Sequence, residues 1–319
     1  MFNITEVLTA KERISPHVHF TPLIKSASLG KLAGNQVYLK LENWQKTGSF
    51  KTRGAFNALL SMDREEASRG IVTVSSGNHG QAVAYAALTL GVPAVIVVPV
   101  DAVRAKIEAA ASYGAEIVFH GTTSEERKQK GQEIASERGM VYLHSFDDYR
   151  LIAGQGTVGL EILEQLPKVE AIVAPIGGGG LLSGIAMIKE LAPQVKVIGV
   201  EPVGAASMHN SRLHGKPVEL PRVETIADGL RAARPGERNF AIVQRLVDDL
   251  VLVSEEEIKE GVRLLLQRTK VLAEPSGAVS FAALLAGKTG LTGKNVAVVI
   301  SGGNADFKFL ADIISPLDK

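Results

Sequence analysis

Four glycines in succession, Gly177 to Gly180, follow the apolar run AIVAPI and lead into LLSG. A strand that ends in such a run and opens into a helix near Leu181 gathers unprotected backbone N–H groups at a helix N-terminus. That arrangement binds phosphate without a cationic side chain, although a glycine run by itself also makes a plain flexible turn. No Gly-Lys-Ser/Thr follows, and the mid-chain position disfavours a dinucleotide fingerprint even though Glu201 imitates the ribose-binding acid. A second junction, SSGNHG, crowds Ser75, Ser76, Gly77, Asn78 and His79 onto another helix start, where an anion such as a substrate carboxylate fits. Ser and Asn are also ordinary capping residues there, and without Gly-x-Ser-x-Gly an acyl-transfer triad has little support. In a third junction Ser301 runs into Gly302-Gly303-Asn304, setting a neutral hydroxyl at a strand end where it can meet a ring nitrogen. Finally, KTGSFKTRGA at 46–55 sets Lys46, Lys51 and Arg53 around Phe50 with no amphipathic period.

The elements that must position these groups are short β-branched runs bounded by Gly, Pro or Asp. They lie at 37–41, 71–75, 94–99, 116–119, 171–175, 196–201, 250–254 and 295–301. Between them, helical spacing covers 78–90, 101–113, 123–138, 153–166, 180–192, 255–270 and 276–286. Alternating strand and helix predicts an α/β fold with mostly parallel sheets, whose ligand crevice lies beyond the carboxyl ends of the strands, where the three junctions fall.

Bulk properties exclude several functions. The 319 residues suffice for two lobes, and 35 Lys+Arg against 34 Asp+Glu point to no nucleic acid and no membrane as partner. The chain has no cysteine, which removes disulfides, thiolate nucleophiles and Cys-ligated metals. The N-terminal stretch lacks an apolar core, no run is long enough to span a bilayer, and a cytoplasmic protein is expected. The seven His have no metal-ligand spacing, Asp147 and Asp148 read as a solvated loop pair, and Glu255, Glu256 and Glu257 after Ser254 read as a helix cap.

In order along the chain stand SFKTRG (49–54), SSGNHG (75–80), AGQGT (153–157), GGGGL (177–181), TIADG (225–229), EPSGA (274–278) and SGGN (301–304). In this set the chain resembles the fold-type II pyridoxal phosphate enzymes, in the serine/threonine dehydratase and serine racemase branch. The resemblance implies the tryptophan synthase β-like architecture of two lobes, a large one from 1–52 and 148–319 and a small one from 53–147. It implies pyridoxal 5'-phosphate as cofactor and Lys51 as the Schiff-base lysine, kept partly deprotonated by burial and a neighbouring cation. Phe50 would pack on the ring, Asn78 would meet its 3-hydroxyl and Ser301 its nitrogen. Gly177, Gly178, Gly179 and Gly180 with Leu181 would hold the phosphate, and Gly229 and Glu274 would complete the cofactor site. Ser75, Ser76, Gly77, Asn78 and His79 would take the substrate carboxylate.

The implied reaction is α,β-elimination from L-threonine or L-serine to 2-oxobutanoate or pyruvate plus ammonia. Ser76 matches the racemase branch, where a serine reprotonates Cα on the face opposite the lysine, so serine racemase is the alternative, with 3-hydroxyaspartate as another candidate substrate. A non-enzymatic anion-binding α/β protein is the reading from another class. The family's divalent-cation site is matched by Glu201 and the Ala205 carbonyl, but Ser207 stands where a second acid is needed, so no tight magnesium site is expected. The sequence stops about fifteen residues beyond SGGN, so isoleucine feedback inhibition is not expected. A homodimer is what the family suggests, and Lys46 and Arg53 are expected to be surface or inter-lobe charges.

Overall fold

The β-branched runs form strands in a computed structural model that describes residues 2–102 and 104–315. The strands are β1 (Leu23–Ser26), β2 (Gln36–Leu41), β3 (Ile71–Val74), β4 (Ala94–Val98), β5 (Glu116–Phe119), β6 (Val141–Leu143), β7 (Ala171–Pro175), β8 (Lys196–Pro202), β9 (Asp249–Val253) and β10 (Asn295–Ile300). The first seven helices are α1 (Ile4–Ile14), α2 (Ala27–Ala33), α3 (Lys51–Leu60), α4 (Arg64–Arg69), α5 (Asn78–Leu90), α6 (Arg104–Ser112) and α7 (Ser124–Arg138). The rest are α8 (Tyr149–Gln165), α9 (Gly180–Ala186), α10 (Ser207–His214), α11 (Glu237–Leu246), α12 (Glu255–Leu264), α13 (Pro275–Leu285) and α14 (Phe307–Ile314). Residue 103, within the helix expected at 101–113, and the expected large-lobe residues 1 and 316–319 lie outside the described residues.

One sheet runs β1-β2-β10-β7-β8-β9 and the other β5-β4-β3-β6. Among the described residues the β1–β2 strand pair alone is antiparallel, so the architecture is the expected α/β one with two mostly parallel sheets. Alternation along β10 shows why the large sheet is covered on both faces. Val296, Val298 and Ile300 enter a core with residues of α12 and α13, while Ala297 and Val299 enter the opposite core with residues of α8 and α9.

The helix that opens with Lys51 is the joint between the sheets. Ala55, Phe56 and Leu59 of α3 pack in the core of the smaller sheet with Ile71 and Ile96, together with Leu151 of α8 and Ile14 of α1. The contact between α3 and α8 is close because both backbones lack side chains there: a Cβ on Gly154 would lie 2.6 Å from the Arg53 carbonyl oxygen and 2.7 Å from the Gly54 Cα. This is the physical content of the AGQG motif.

Some expectations shift. The helix expected at 180–192 is α9 followed by a 3-10 turn at Met187–Glu190, and the one at 255–270 ends as a π-helical turn, Leu265–Thr269. Asp147 and Asp148 are not a solvated pair. Asp147 accepts from the Glu237 and Arg238 backbone N–H groups at the start of α11, and Asp148 caps α8 and pairs with Arg150 at 2.7 Å. Ser254 and Glu257 do form a capping box on α12.

Candidate active site

Ser49 bridges Gly302, and the Phe50 N–H donates to the Ser301 carbonyl at 3.1 Å, so the KTGSFK segment adds itself to the end of β10. The turn before it needs Gly48, whose φ of +72° is left-handed and whose missing side chain leaves room for Asn304. The first residue after this turn to become helical is Lys51. Its Nζ stands 5.3 Å from the Phe50 ring centroid and donates to the Ser145 carbonyl at 3.1 Å. Burial lowers this amine from its ordinary 10.5 to about 8. The neighbouring cation expected to assist makes no contribution to that shift.

Arg53 is fully buried, which overturns the surface alternative of the sequence reading. Its Nε donates to Glu42 at 2.8 Å, its Nη1 to Glu161 at 2.6 Å, and its Nη2 to both carboxylates. Lys40, also fully buried, donates to Glu161 at 2.6 Å and to the Thr21 carbonyl at 2.6 Å. Burial alone would lower the guanidinium pKa, but Glu42 and then Glu161 raise it above its ordinary value, whereas for Lys40 burial outweighs both carboxylates and lowers it. Four buried charges thus tie β2, α3 and α8 together behind the lysine.

The glycine run is built against a facing loop and a strap. A Cβ on Gly177 would lie 3.1 Å from Leu230 Cα and 3.2 Å from the Gly229 carbonyl, and one on Gly178 would collide with the Phe146 ring. Gly179 adopts φ +103°, and its Cβ would meet Asn239 and Met208 at 2.8 Å. Gly229 in turn donates to Ser276 Oγ at 2.9 Å, and Leu181 is buried within α9. Asn239, which sequence reasoning missed, donates to the carbonyls of Gly178 and Phe146, each at 3.1 Å, and pins the loop to the strap. Residues 143–148 are that strap, since Ser145 meets Lys51 while Phe146 lies over the glycines.

At the third junction Ser301 is buried, with its hydroxyl 3.4 Å from the Ser276 carbonyl. Next to it, Asn78 Nδ2 donates to Glu274 Oε1 at 2.7 Å, and Glu274 is the N-cap residue of α13. Phe50, Lys51, Asn78, Glu274 and Ser301 are therefore brought together. Ser75, Ser76 and Gly77 form the turn into α5, with Ser75 Oγ accepting from the Gly77 N–H at 3.2 Å. The His79 imidazole turns away from that turn into the small sheet. Thr73 Oγ1 spends its proton on the Leu143 carbonyl at 2.8 Å, so His79 Nε2 at 3.0 Å carries the hydrogen and donates to Thr73. Burial first, then the nearby Lys51 and His144, hold His79 well below its ordinary 6.5, leaving it neutral.

Glu201 lies apart from this cluster, at the end of β8. Its two oxygens accept from the Met208 and His209 N–H groups, each at 2.8 Å, at the start of α10. Burial pushes its carboxyl up to about 8 against those bonds, and Ala205 is buried in the 3-10 turn Val203–Ala205 that follows β8. Among the described residues, no group of three or more His, Cys, Asp or Glu is assembled to hold a metal, and no helix is long and apolar enough to cross a membrane.

A phosphate cradle of glycines that admit no side chain, an amine with a lowered pKa and a buried hydroxyl together fit an aldehyde cofactor carrying a phosphate and a ring nitrogen. The family model described as "Pyridoxal-phosphate dependent enzyme" matches residues 14–302. The chain belongs to this family. Among curated proteins, it is 43% identical over 316 residues to L-threonine ammonia-lyase of Thermotoga maritima, covering 99% of this chain and 79% of the relative. It is 42% identical over 311 residues to L-threo-3-hydroxyaspartate ammonia-lyase of Saccharomyces cerevisiae, covering 97% and 95%. Maize serine racemase superposes with a TM-score of 0.94 at 39% identity, over 97% of this chain and 96% of that one. Pyridoxal phosphate is accordingly the cofactor, and this pyridoxal-phosphate dependent enzyme has the fold-type II architecture of its relatives.

Proposed function

We propose that this pyridoxal-phosphate dependent enzyme is an ammonia-lyase that converts L-threonine and L-serine to 2-oxobutanoate and pyruvate with release of ammonia. The observations that carry the reading are Lys51, a buried amine lowered to about 8 whose hydrogen-bond partner among the described residues is a carbonyl, and Ser301, a buried neutral hydroxyl that in this reading faces the ring nitrogen. The bound cofactor withdraws electrons from the substrate's α-carbon, and a hydroxyl partner leaves it a moderate electron sink that favours rapid loss of a β-substituent. Lys51 holds the cofactor and, once displaced by the substrate amine, takes the Cα proton as general base. Phe50 walls the ring, Asn78 donates to its 3-oxygen, and Gly177 to Gly180 with Leu181 hold the phosphate opposite Gly229. Ser75, Ser76 and the first-turn N–H groups of α5 at Asn78 and His79 take the carboxylate, with the His79 imidazole reserved for holding that turn. The β-hydroxyl would leave as water, its proton balanced by the one taken from Cα, and the Lys51 amine would then replace the substrate nitrogen on the cofactor; the enamine so freed adds one water to give the 2-oxo acid and ammonia.

In this reading the residues of the smaller sheet, within 53–147, form a lobe that closes on the larger one and excludes water during elimination. We place the enzyme in the cytoplasm, and a homodimer is the assembly the family suggests. Ser76, half-buried in the carboxylate turn, supports a second reading in which Cα is reprotonated from the face opposite Lys51 to give D-serine. Glu201 is bonded into the start of α10, which supports a structural role for it in place of a magnesium ligand.

The test is incubation of the cofactor-loaded enzyme with L-threonine, L-serine and L-threo-3-hydroxyaspartate, following 2-oxo acid, ammonia and D-isomer together. Stoichiometric 2-oxo acid and ammonia from threonine and serine are expected. Abundant D-serine with little pyruvate would replace this reading by the racemase one, and turnover confined to 3-hydroxyaspartate would reassign the substrate.

A further inference from the structure

Asn304 is the exposed last residue of the SGGN junction, and its amide nitrogen makes three contacts. It lies 2.7 Å from the Thr47 carbonyl oxygen, 2.9 Å from Asn78 Oδ1 and 3.3 Å from Gln81 Oε1. Beyond Asn78, the other end of that amide lies 2.7 Å from Glu274 Oε1. A chain of hydrogen bonds thus runs from a backbone carbonyl in the KTG turn, through two asparagine amides, to a carboxylate.

The polarity of such a chain is fixed by its ends. A backbone carbonyl can only accept, so the Asn304 atom facing Thr47 is the amide nitrogen. Its second hydrogen has two acceptors in reach, and the shorter contact, 2.9 Å to Asn78 Oδ1 against 3.3 Å to Gln81 Oε1, sets the Asn78 oxygen toward Asn304 and the Asn78 nitrogen toward Glu274. The carboxylate, itself an acceptor, closes the chain with the same sense. Asn78 therefore presents N–H rather than C=O to the side of the cleft where Gly302 and Ser301 lie, since a Cβ on Gly302 would stand 3.3 Å from Asn78 Nδ2. Asn78 and Gln81 belong to the first turn of α5, whereas Asn304 follows β10 of the other sheet, so the contact also spans the two halves of the site.

We propose that Asn304 is a positioning residue that orients the Asn78 amide, so that a donor and not an acceptor faces the cofactor's ring oxygen. The inference rests on the reading above that Asn78 meets this oxygen. An N–H there favours the oxygen as an anion, while a reversed amide would set a carbonyl against it and favour the protonated form. Asn304 touches neither substrate nor ring and acts through Asn78.

The test is the absorption spectrum of the loaded enzyme at one pH, comparing the visible band of the lysine-bound cofactor with its near-ultraviolet band. Asn304→Asp keeps the shape but cannot donate to Thr47 or to Asn78, and Asn304→Ala removes the lock without imposing the reverse. The visible-to-ultraviolet ratio is expected to fall in the order wild type, Asn304→Ala, Asn304→Asp, by about tenfold or more in the last, the size of a hydrogen bond to a charged oxygen. Thermal midpoints of the cofactor-free proteins run in parallel, and a purely structural role would move those midpoints while leaving the ratio at its wild-type value. That outcome, or an unchanged ratio in both variants, overturns the inference while leaving the cofactor assignment intact. Failure of the wild-type protein to develop a visible band on loading would instead sink the site assignment, and the inference with it.

Discussion

Lys51 and Arg53 stand two residues apart on one helix, about 200° around it, and face opposite environments. Arg53 points into a dry space with two carboxylates, Glu42 and Glu161, each taking two of its N–H donors. Lys51 points the other way, toward the Ser145 carbonyl and the Phe50 ring, with no carboxylate paired to it among the described residues. Both cations lose water, but only one has counter-charges to replace it. The arginine becomes a permanent cation with a raised pKa, and the lysine is driven toward the neutral amine that a nucleophile and base must be. Burial sets the cost in both places, and the presence of a carboxylate decides its consequence.

Exchanging either partner breaks the contrast. Lys51→Ala is expected to have the largest effect, removing both the attachment point of the cofactor and the base. The visible band should vanish, and ammonia release should fall by about four orders of magnitude or more. The unfolding midpoint at neutral pH should not fall and is expected to rise, because no ion pair is lost and a desolvated charge is removed. Arg53→Met should do the reverse. It leaves Glu42 and Glu161 buried without their main counter-charge, which costs about 3–5 kcal/mol, read as a lowered denaturant midpoint. Lys40 still reaches Glu161, so adding Glu42→Gln to Arg53→Met should recover part of the loss. Protein that survives folding should retain its visible band.

The sequence made the lysine legible and the arginine illegible for a physical reason. Lys51 belongs to a local motif whose neighbours, Phe50 and Gly48, are contiguous with it, and the glycine run and SGGN are equally local. Arg53 takes its meaning from Glu42 and from Glu161, 108 residues away, whose approach depends on Gly154 letting α8 touch α3. The same holds for Asp147, which looks like half of an acidic loop until α11 arrives to be capped, and for Ser145, which acts through a carbonyl that no residue pattern records. The strands were legible where β-branched residues cluster, and β1 (LIKS) and β6 (VYL), with a single β-branched residue each, gave no such run. Helix α3 escaped notice because residues 52–59 are all buried, so that it has no polar face to set a period.

The last consequence of the contrast is a pH dependence belonging to Lys51 alone. Uptake of pyridoxal phosphate by the cofactor-free protein needs the neutral amine, so its rate should rise with pH and level off through about 8, rather than near the ordinary 10.5. Stability carries the matching sign. Between about 8 and 10.5 the folded state binds fewer protons at this site than the unfolded chain does, so unfolding free energy rises with pH across that window and is flat in this contribution below it. The lysine therefore destabilises the fold at neutral pH and stops doing so once it is deprotonated. Lys51→Ala should lose that rise, and Arg53→Met should keep it. An uptake rate still climbing steadily past pH 10 would mean that the amine is not desolvated, and the distinction between the two cations would then rest on Arg53 alone.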